Sequence, residues 1–169
     1  MRTVGFCISF LGLVLILAIF IIRIIFGVSM QFDCTQYTKR AADANTIELA
    51  KSNLDTVIKY LDKRELTNGV VSIFFNQPKN DIGYWYSNLK ESQKELEKVP
   101  ENASQLEKSN MLMKLRETLI DSSQNGVSVT APDGLSIYPY NKIFFWLIVV
   151  GGVMMFVGWM MVIRDDDSF

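Results

Sequence analysis

The sequence predicts a mainly α-helical membrane protein. Two transmembrane helices are expected to flank a small antiparallel helical-bundle domain with a short extended or β-hairpin return segment. Two long apolar blocks lie near the ends of the 169-residue chain, and the region between them has an ordinary polar composition with helical periodicity. Both ends of that region must return to the membrane. Three helices would leave the chain at the far end, so an extended leg is needed to bring it back.

The first apolar block is Val4–Phe26, which is uncharged as far as Ile22. A helix rises about 1.5 Å per residue, so the uncharged part alone nearly crosses a hydrocarbon core of roughly 30 Å. A cleaved signal peptide is the competing interpretation, but it would have an apolar run of about 7–15 residues and a small-x-small cleavage site. The longer run, which continues past Arg23, favours an uncleaved span.

One face of this first helix carries small residues. Gly5, Ser9 and Gly12 are three or four residues apart and therefore share a face, which Arg23 also joins. Small side chains let a second helix approach closely. We expect this stripe to be a helix–helix contact. Arg23 either extends to the lipid headgroups or pairs with an acidic or carbonyl group on a neighbouring helix.

The second apolar block, Ile143–Ile163, is uncharged over 21 residues. Aromatic residues crowd its start and Trp159 lies near its end, as in an interfacial aromatic belt. Gly151 and Gly158 are seven residues apart and form a second small-residue face, which is predicted to receive the stripe of the first span. Only a short acidic tail, residues 164–169, follows.

The region 28–141 is predicted to contain three helices, at about 35–65, 81–98 and 104–122. The first has an apolar face of Ile47, Ala50, Leu54, Val57, Ile58 and Leu61. Asn80 or Asp81 is expected to cap the second helix, and Ser104 with Glu107 forms the pattern of a capping box for the third.

The return segment is expected to be extended over 127–138. Val127–Thr130 and Leu135–Tyr138 alternate in character, and Pro132-Asp133-Gly134 between them is a turn signal. A small hairpin or two extended pieces should result. Asn125-Gly126 is expected to end the third helix.

Two further features of the domain suggest interaction sites. Phe74, Trp85 and Tyr86 could form a ligand or partner patch, although aromatic residues at helical spacing more often belong to a core. Cys34 is either free or forms an intermolecular disulfide, because the other cysteine, Cys7, lies inside the first apolar block.

The composition argues against catalysis. The chain has no histidine, which removes the commonest general base and metal ligand. No phosphate-binding glycine loop, metal-ligand cluster or nucleophile motif is present, so neither an enzyme nor a cofactor or metal site is expected. A net charge of −1 without a basic face excludes nucleic acid as a partner.

These patterns favour a non-catalytic accessory or assembly subunit of a membrane complex, with the lipid bilayer and another membrane protein, or a second copy, as partners. One alternative is an extracytoplasmic ligand-binding module that relays to a partner membrane protein. Another is a membrane-perturbing protein associated with a phage or toxin. We expect a bacterial inner membrane, with both termini cytoplasmic and the domain outside, although positive-inside counting does not apply to a loop this long.

Overall fold

A computed structural model describes residues 2–123 and 126–166 of the chain. The described residues are mainly α-helical, with five helices and one small antiparallel hairpin. They divide into two compact units. One combines Met1–Gly27 with Pro139–Phe169, and we call it the helix pair; the other, Val28–Tyr138, is the domain.

The helix pair consists of two long apolar helices packed together. Helix α1, Arg2–Ala42, contributes its part up to Gly27, and helix α5, Asn141–Asp166, contributes the other side. By length and composition, Arg2–Ala42 and Asn141–Arg164 are able to cross a membrane. The predicted spans 4–26 and 143–163 fall inside them. Helix α5 also includes the first residues of the predicted acidic tail, and residues 167–169 lie outside the described part of the chain.

The first helix of the domain differs from the prediction of one helix over 35–65. Helix α1 runs to Ala42 through a short π-helical segment, Gln31–Thr35, and a separate helix α2 covers Ile47–Lys63. Thr46 caps α2, since its backbone is extended and its hydroxyl accepts a hydrogen bond from the Leu49 amide at 3.2 Å. The break contains neither glycine nor proline, so no helix-breaking residue indicated it in the sequence.

The break changes the path of the chain through the domain. The Arg64 guanidinium, just past the end of α2, donates a hydrogen bond to the Ser29 hydroxyl near the start of the domain at 3.1 Å. Helix α2 therefore runs back along the last part of α1. The domain has four helical legs rather than three, but the chain still returns over a non-helical segment. Arg116, near the end of the last helix of the domain, pairs with Asp43 in this break at 2.8 Å, and residues 130–138 lead from there back to Gly69.

Helices α3, Ile82–Lys98, and α4, Gln105–Leu119, complete the domain. Asp81 caps α3 by accepting from the Tyr84 amide, and Ser104 with Glu107 forms a complete capping box on α4. Helix α3 is antiparallel to α2, because contacts join residues from opposite ends of the two helices in reverse order. These contacts are Lys51–Glu97 at 3.4 Å, Asp55–Gln93 at 2.6 Å and Asp62–Tyr86 at 2.5 Å.

The hairpin lies earlier in the chain than predicted. Strands β1, Ile120–Ser123, and β2, Gly126–Val129, pair with Ile120 opposite Val129. The third predicted helix therefore ends at Leu119, three residues short of the expected end. Leu135–Ile137 forms a short 3₁₀ turn instead of a strand. Asn-Gly is a hairpin signal as well as a helix stop, and Gly126 begins the second strand; residues 124 and 125 lie outside the described part.

Large apolar side chains from all four legs fill the domain core. The six apolar residues grouped on one face of α2 by periodicity are the six residues of that helix that are buried. The largest fully buried apolar side chains in the domain are Leu54, Leu61, Ile82, Leu89, Leu96, Leu119 and Leu135. This core is the ordinary hydrophobic interior of a small helical domain.

Candidate functional site

Glycine residues lie at two points of contact between the helices of the helix pair. A Cβ atom added to Gly5 would lie 2.7 Å from the Gly158 carbonyl oxygen, and one added to Gly12 would lie 2.6 Å from that of Gly151. Real Cβ atoms do not make such short contacts with backbone. The two backbones therefore approach each other closely only because no side chain stands between them.

Ser9 adds a directional contact between the same two helices. Its hydroxyl donates a hydrogen bond to the Met155 carbonyl oxygen at 3.0 Å. A Cβ on Gly158 would also lie 2.5 Å from this hydroxyl oxygen and 2.7 Å from the Ser9 amide nitrogen. Glycine at 158 thus makes room for both the backbone and the serine.

The structure brings together five of the six residues predicted to form helix–helix contacts. Arg23, the sixth, is exposed, and among the described residues it has no ion pair. Met154 and Met155 of α5 lie against Gly12. Residue size did not predict these methionine–glycine contacts. Methionine is a large side chain, but it is flexible enough to fill the space beside a glycine.

Phe74, Trp85 and Tyr86 do not form a common exposed patch. Trp85 is 5 % exposed and belongs to the core, whereas Phe74 is 65 % exposed. The Tyr86 hydroxyl donates to the Asp62 carboxylate, and burial together with this hydrogen bond raises the pKa of Tyr86 to about 12. The Trp85 indole nitrogen has no hydrogen-bond partner among the described residues. The ring of Trp85 therefore serves packing rather than an open ligand surface.

Cys34 cannot form the intermolecular disulfide that the sequence left open. Its side chain is 1 % exposed within the domain core, so a cysteine of another chain cannot reach its sulfur. Burial is the main reason that the pKa of the thiol rises to about 12. At neutral pH the group is a neutral, unreactive core residue.

No protein-family model matches this chain, and comparisons with curated proteins and with solved structures found no significant similarity. Its function must be inferred from its own contacts. In the described ranges 2–123 and 126–166, no group of three or more acidic or cysteine residues is placed to hold a metal ion.

Helix α4 presents a second apolar side that the domain core does not use. Leu115 and Leu119 are buried, whereas Leu106 and Met113 are 70 % and 60 % exposed. Residues seven apart lie nearly above one another on a helix, so Leu106 and Met113 share one outward face. We call these two residues the outer α4 face. The seven-residue spacing of Leu106 and Met113 is visible in the sequence, but it does not reveal that this face points outward.

Proposed function

We propose that this chain is a non-catalytic two-span membrane protein that acts as an accessory or assembly subunit of a membrane complex. In this proposal the helix pair anchors the protein in the bilayer, and the domain binds the partner. The observation that carries it is the combination of a self-contained, glycine-packed helix pair with an unused apolar face on the domain.

The exposure of the terminal helices supports membrane placement. Only 17 % of the apolar window of α1 and 11 % of that of α5 is buried. A core helix of a soluble protein would be mostly buried instead. Their outward side chains include large apolar groups such as Phe10, Phe20 and Phe156. In water this surface would be a severe aggregation liability, whereas in lipid it is the expected covering.

The glycine contacts also bear on the signal-sequence alternative for the first helix. A cleaved leader has no need of a matched partner helix. Here Gly5, Ser9 and Gly12 each have a close counterpart on α5. This matching favours a helix that is retained as one half of a membrane hairpin.

The same matching limits where a partner can bind. The small-residue faces are occupied by each other, so they do not present a free surface to another membrane protein. The outer α4 face remains. Leucine and methionine make adaptable apolar contacts, and exposed apolar side chains on a rigid helix are typical of protein interfaces. We propose this face as the partner-binding surface, with the domain outside a bacterial inner membrane.

Site-specific photocrosslinking tests this assignment. A benzoylphenylalanine at Leu106 or Met113 should give an adduct with one membrane protein in cells, whereas the same group at exposed Glu91 on α3 should not. The double variant Leu106→Glu/Met113→Glu should also lose that protein on purification in mild detergent, while Glu91→Lys retains it. If the double variant retains its partners, or if all three positions crosslink alike, the outer α4 face is not the binding surface. An adduct of twice the chain's mass would instead indicate self-association.

A further inference from the structure

The connection between α2 and α3 exposes two adjacent aromatic rings. Phe74 is 65 % exposed and Phe75 is 79 % exposed. The loop that carries them is closed at its base, where the Val71 amide donates to the Asn80 carbonyl oxygen at 3.1 Å and the Asn80 side-chain amide donates to the Ser72 hydroxyl at 2.7 Å. We call residues 72–80 the aromatic loop. Its rings are held at the tip of a fixed structure rather than on a loose segment.

The aromatic loop lies at one particular end of the domain. Just before it, Arg64 is hydrogen-bonded to Ser29, which lies two residues after the last residue of α1 in the helix pair. At its base, Gly69 packs directly against the hydroxyl of Tyr138, the last residue of the domain before the chain enters the helix pair. Both chain segments that enter and leave the domain are therefore bound beside this loop.

The opposite end of the domain is defined just as clearly. Lys51 and Glu97 meet there, and the Lys108 ammonium donates to the Glu101 carbonyl oxygen at 2.7 Å. This end is separated from the Asp62–Tyr86 contact by 11 residues of α2, which is about 16 Å of helix. Leu106, at the start of α4, belongs to this second end and is as apolar and exposed as the loop rings.

The chemistry of the aromatic loop matches a lipid interface. From Val70 to Asn80 there is no acidic residue, and Lys79 supplies a single positive charge. Aromatic rings flanked by amide and lysine groups are typical of the boundary between lipid headgroups and acyl chains. A binding surface for a soluble protein would not have to lie beside the two membrane connections, whereas a membrane contact does.

We propose that the aromatic loop is a second membrane contact, in which Phe74 and Phe75 enter the headgroup boundary of the bilayer that the helix pair crosses. It rests on the two-span proposal above. The contact would hold the domain at a fixed height and tilt, since the loop is tied to both segments that connect the domain to the spans. The outer α4 face at the other end would then point away from the lipid.

A lipid-quenching experiment tests this contact in the full chain. Cys7→Ser leaves only buried, unreactive Cys34, so an environment-sensitive fluorophore can be attached at single cysteines introduced as Phe75→Cys, Leu106→Cys or Phe156→Cys. The protein is reconstituted in vesicles of phosphatidylcholine and phosphatidylglycerol that carry a nitroxide near the headgroup end of the acyl chain. The probe at 75 should lose most of its fluorescence and shift to the blue, whereas the probe at 106 should be unaffected.

The probe at 156 separates failure of this inference from failure of the two-span proposal. If the probe at 156 is quenched by lipid nitroxide and the probe at 75 is not, the helix pair is in the bilayer and the loop contact is wrong. A blue-shifted but unquenched probe at 75 would show a protein partner or a second copy on the loop, which also overturns the inference. Equal quenching at 75 and 106 would show a domain lying flat on lipid and overturn it as well. If the probe at 156 is not quenched, the two-span proposal fails, and the loop contact fails with it.

Discussion

The helix pair and the domain are each held together internally, but by different kinds of contact. In the helix pair, backbone meets backbone at glycines, and Ser9 adds one hydrogen bond. In the domain, large leucine and isoleucine side chains are fully buried. The difference follows from the solvent that we propose for each part. In lipid there is no hydrophobic driving force to bury apolar side chains, so helices associate by close packing of their backbones. In water the hydrophobic effect drives large apolar side chains into a core.

The largest loss of stability is expected for a substitution in the core of the domain. Leu54→Ala removes a side chain that is fully buried in the core and should lower the free energy of unfolding of the domain by about 2–5 kcal/mol. Leu49→Ala, on the exposed side of the same helix, should change it by less than about 0.5 kcal/mol. Urea-dependent proteolysis of the full chain in mild detergent measures both. Equal effects of the two substitutions would contradict the assigned core.

The second prediction concerns the glycine contacts of the helix pair. Gly158→Ala places a methyl group 2.5 Å from the Gly5 carbonyl oxygen and should weaken the helix pair by about 1–3 kcal/mol. Gly152→Ala is the matched control, since nothing lies within 4 Å of its added Cβ and alanine favours the helix. Titration with SDS in mixed micelles, followed by near-ultraviolet circular dichroism of the span tryptophans, measures the difference. The glycine interface would be wrong if Gly158→Ala proved as stable as Gly152→Ala.

The smallest effect concerns the start of α4. Ser104→Ala removes the hydroxyl that accepts from the Glu107 amide and should cost about 1 kcal/mol, whereas Ser109→Ala on the exposed surface of the same helix should be nearly neutral. Hydrogen bonds from Ser104 lower the pKa of Glu107. The contribution of that carboxylate is therefore complete above its unfolded pKa and is lost as the pH falls through the lowered value. Urea unfolding at neutral and acidic pH should show the difference between the serine variants shrinking in acid.

The two regions also differ in how far sequence could predict them. The glycines and the serine of the helix pair that meet were indicated by spacing, because small side chains on one helix face let a second helix approach closely. The apolar face of α2 followed from periodicity for a similar reason. The break between Ala42 and Ile47 could not be anticipated, since it depends on a threonine cap and on α2 packing back against α1. The domain therefore has one more helical leg than predicted, while the chain still returns over residues 130–138 from the end of α4 beside Asp43 to Gly69.

Short sequence patterns were least informative where one pattern occurs in two kinds of local structure. Asn125-Gly126 was expected to stop a helix, but Gly126 begins a strand whose partner starts directly after α4. The burial of Cys34 and Trp85, and the exposure of Phe75, likewise depend on which helices meet, and no short pattern carries that information. The sequence indicated which residues were apolar, and the tertiary arrangement decided which of them are buried and which stay exposed.

The proposed two-span topology is tested most directly by cysteine accessibility in intact cells. On the Cys7→Ser background, single cysteines are introduced by Thr3→Cys, Asn110→Cys and Arg164→Cys. The parent should remain unlabelled because Cys34 is buried in the domain core. A membrane-impermeant maleimide should label position 110 in intact cells and positions 3 and 164 only after lysis. Labelling of positions 3 and 164 on different sides, or of all three positions on the same side, would contradict a two-span hairpin with its domain across the membrane from both ends.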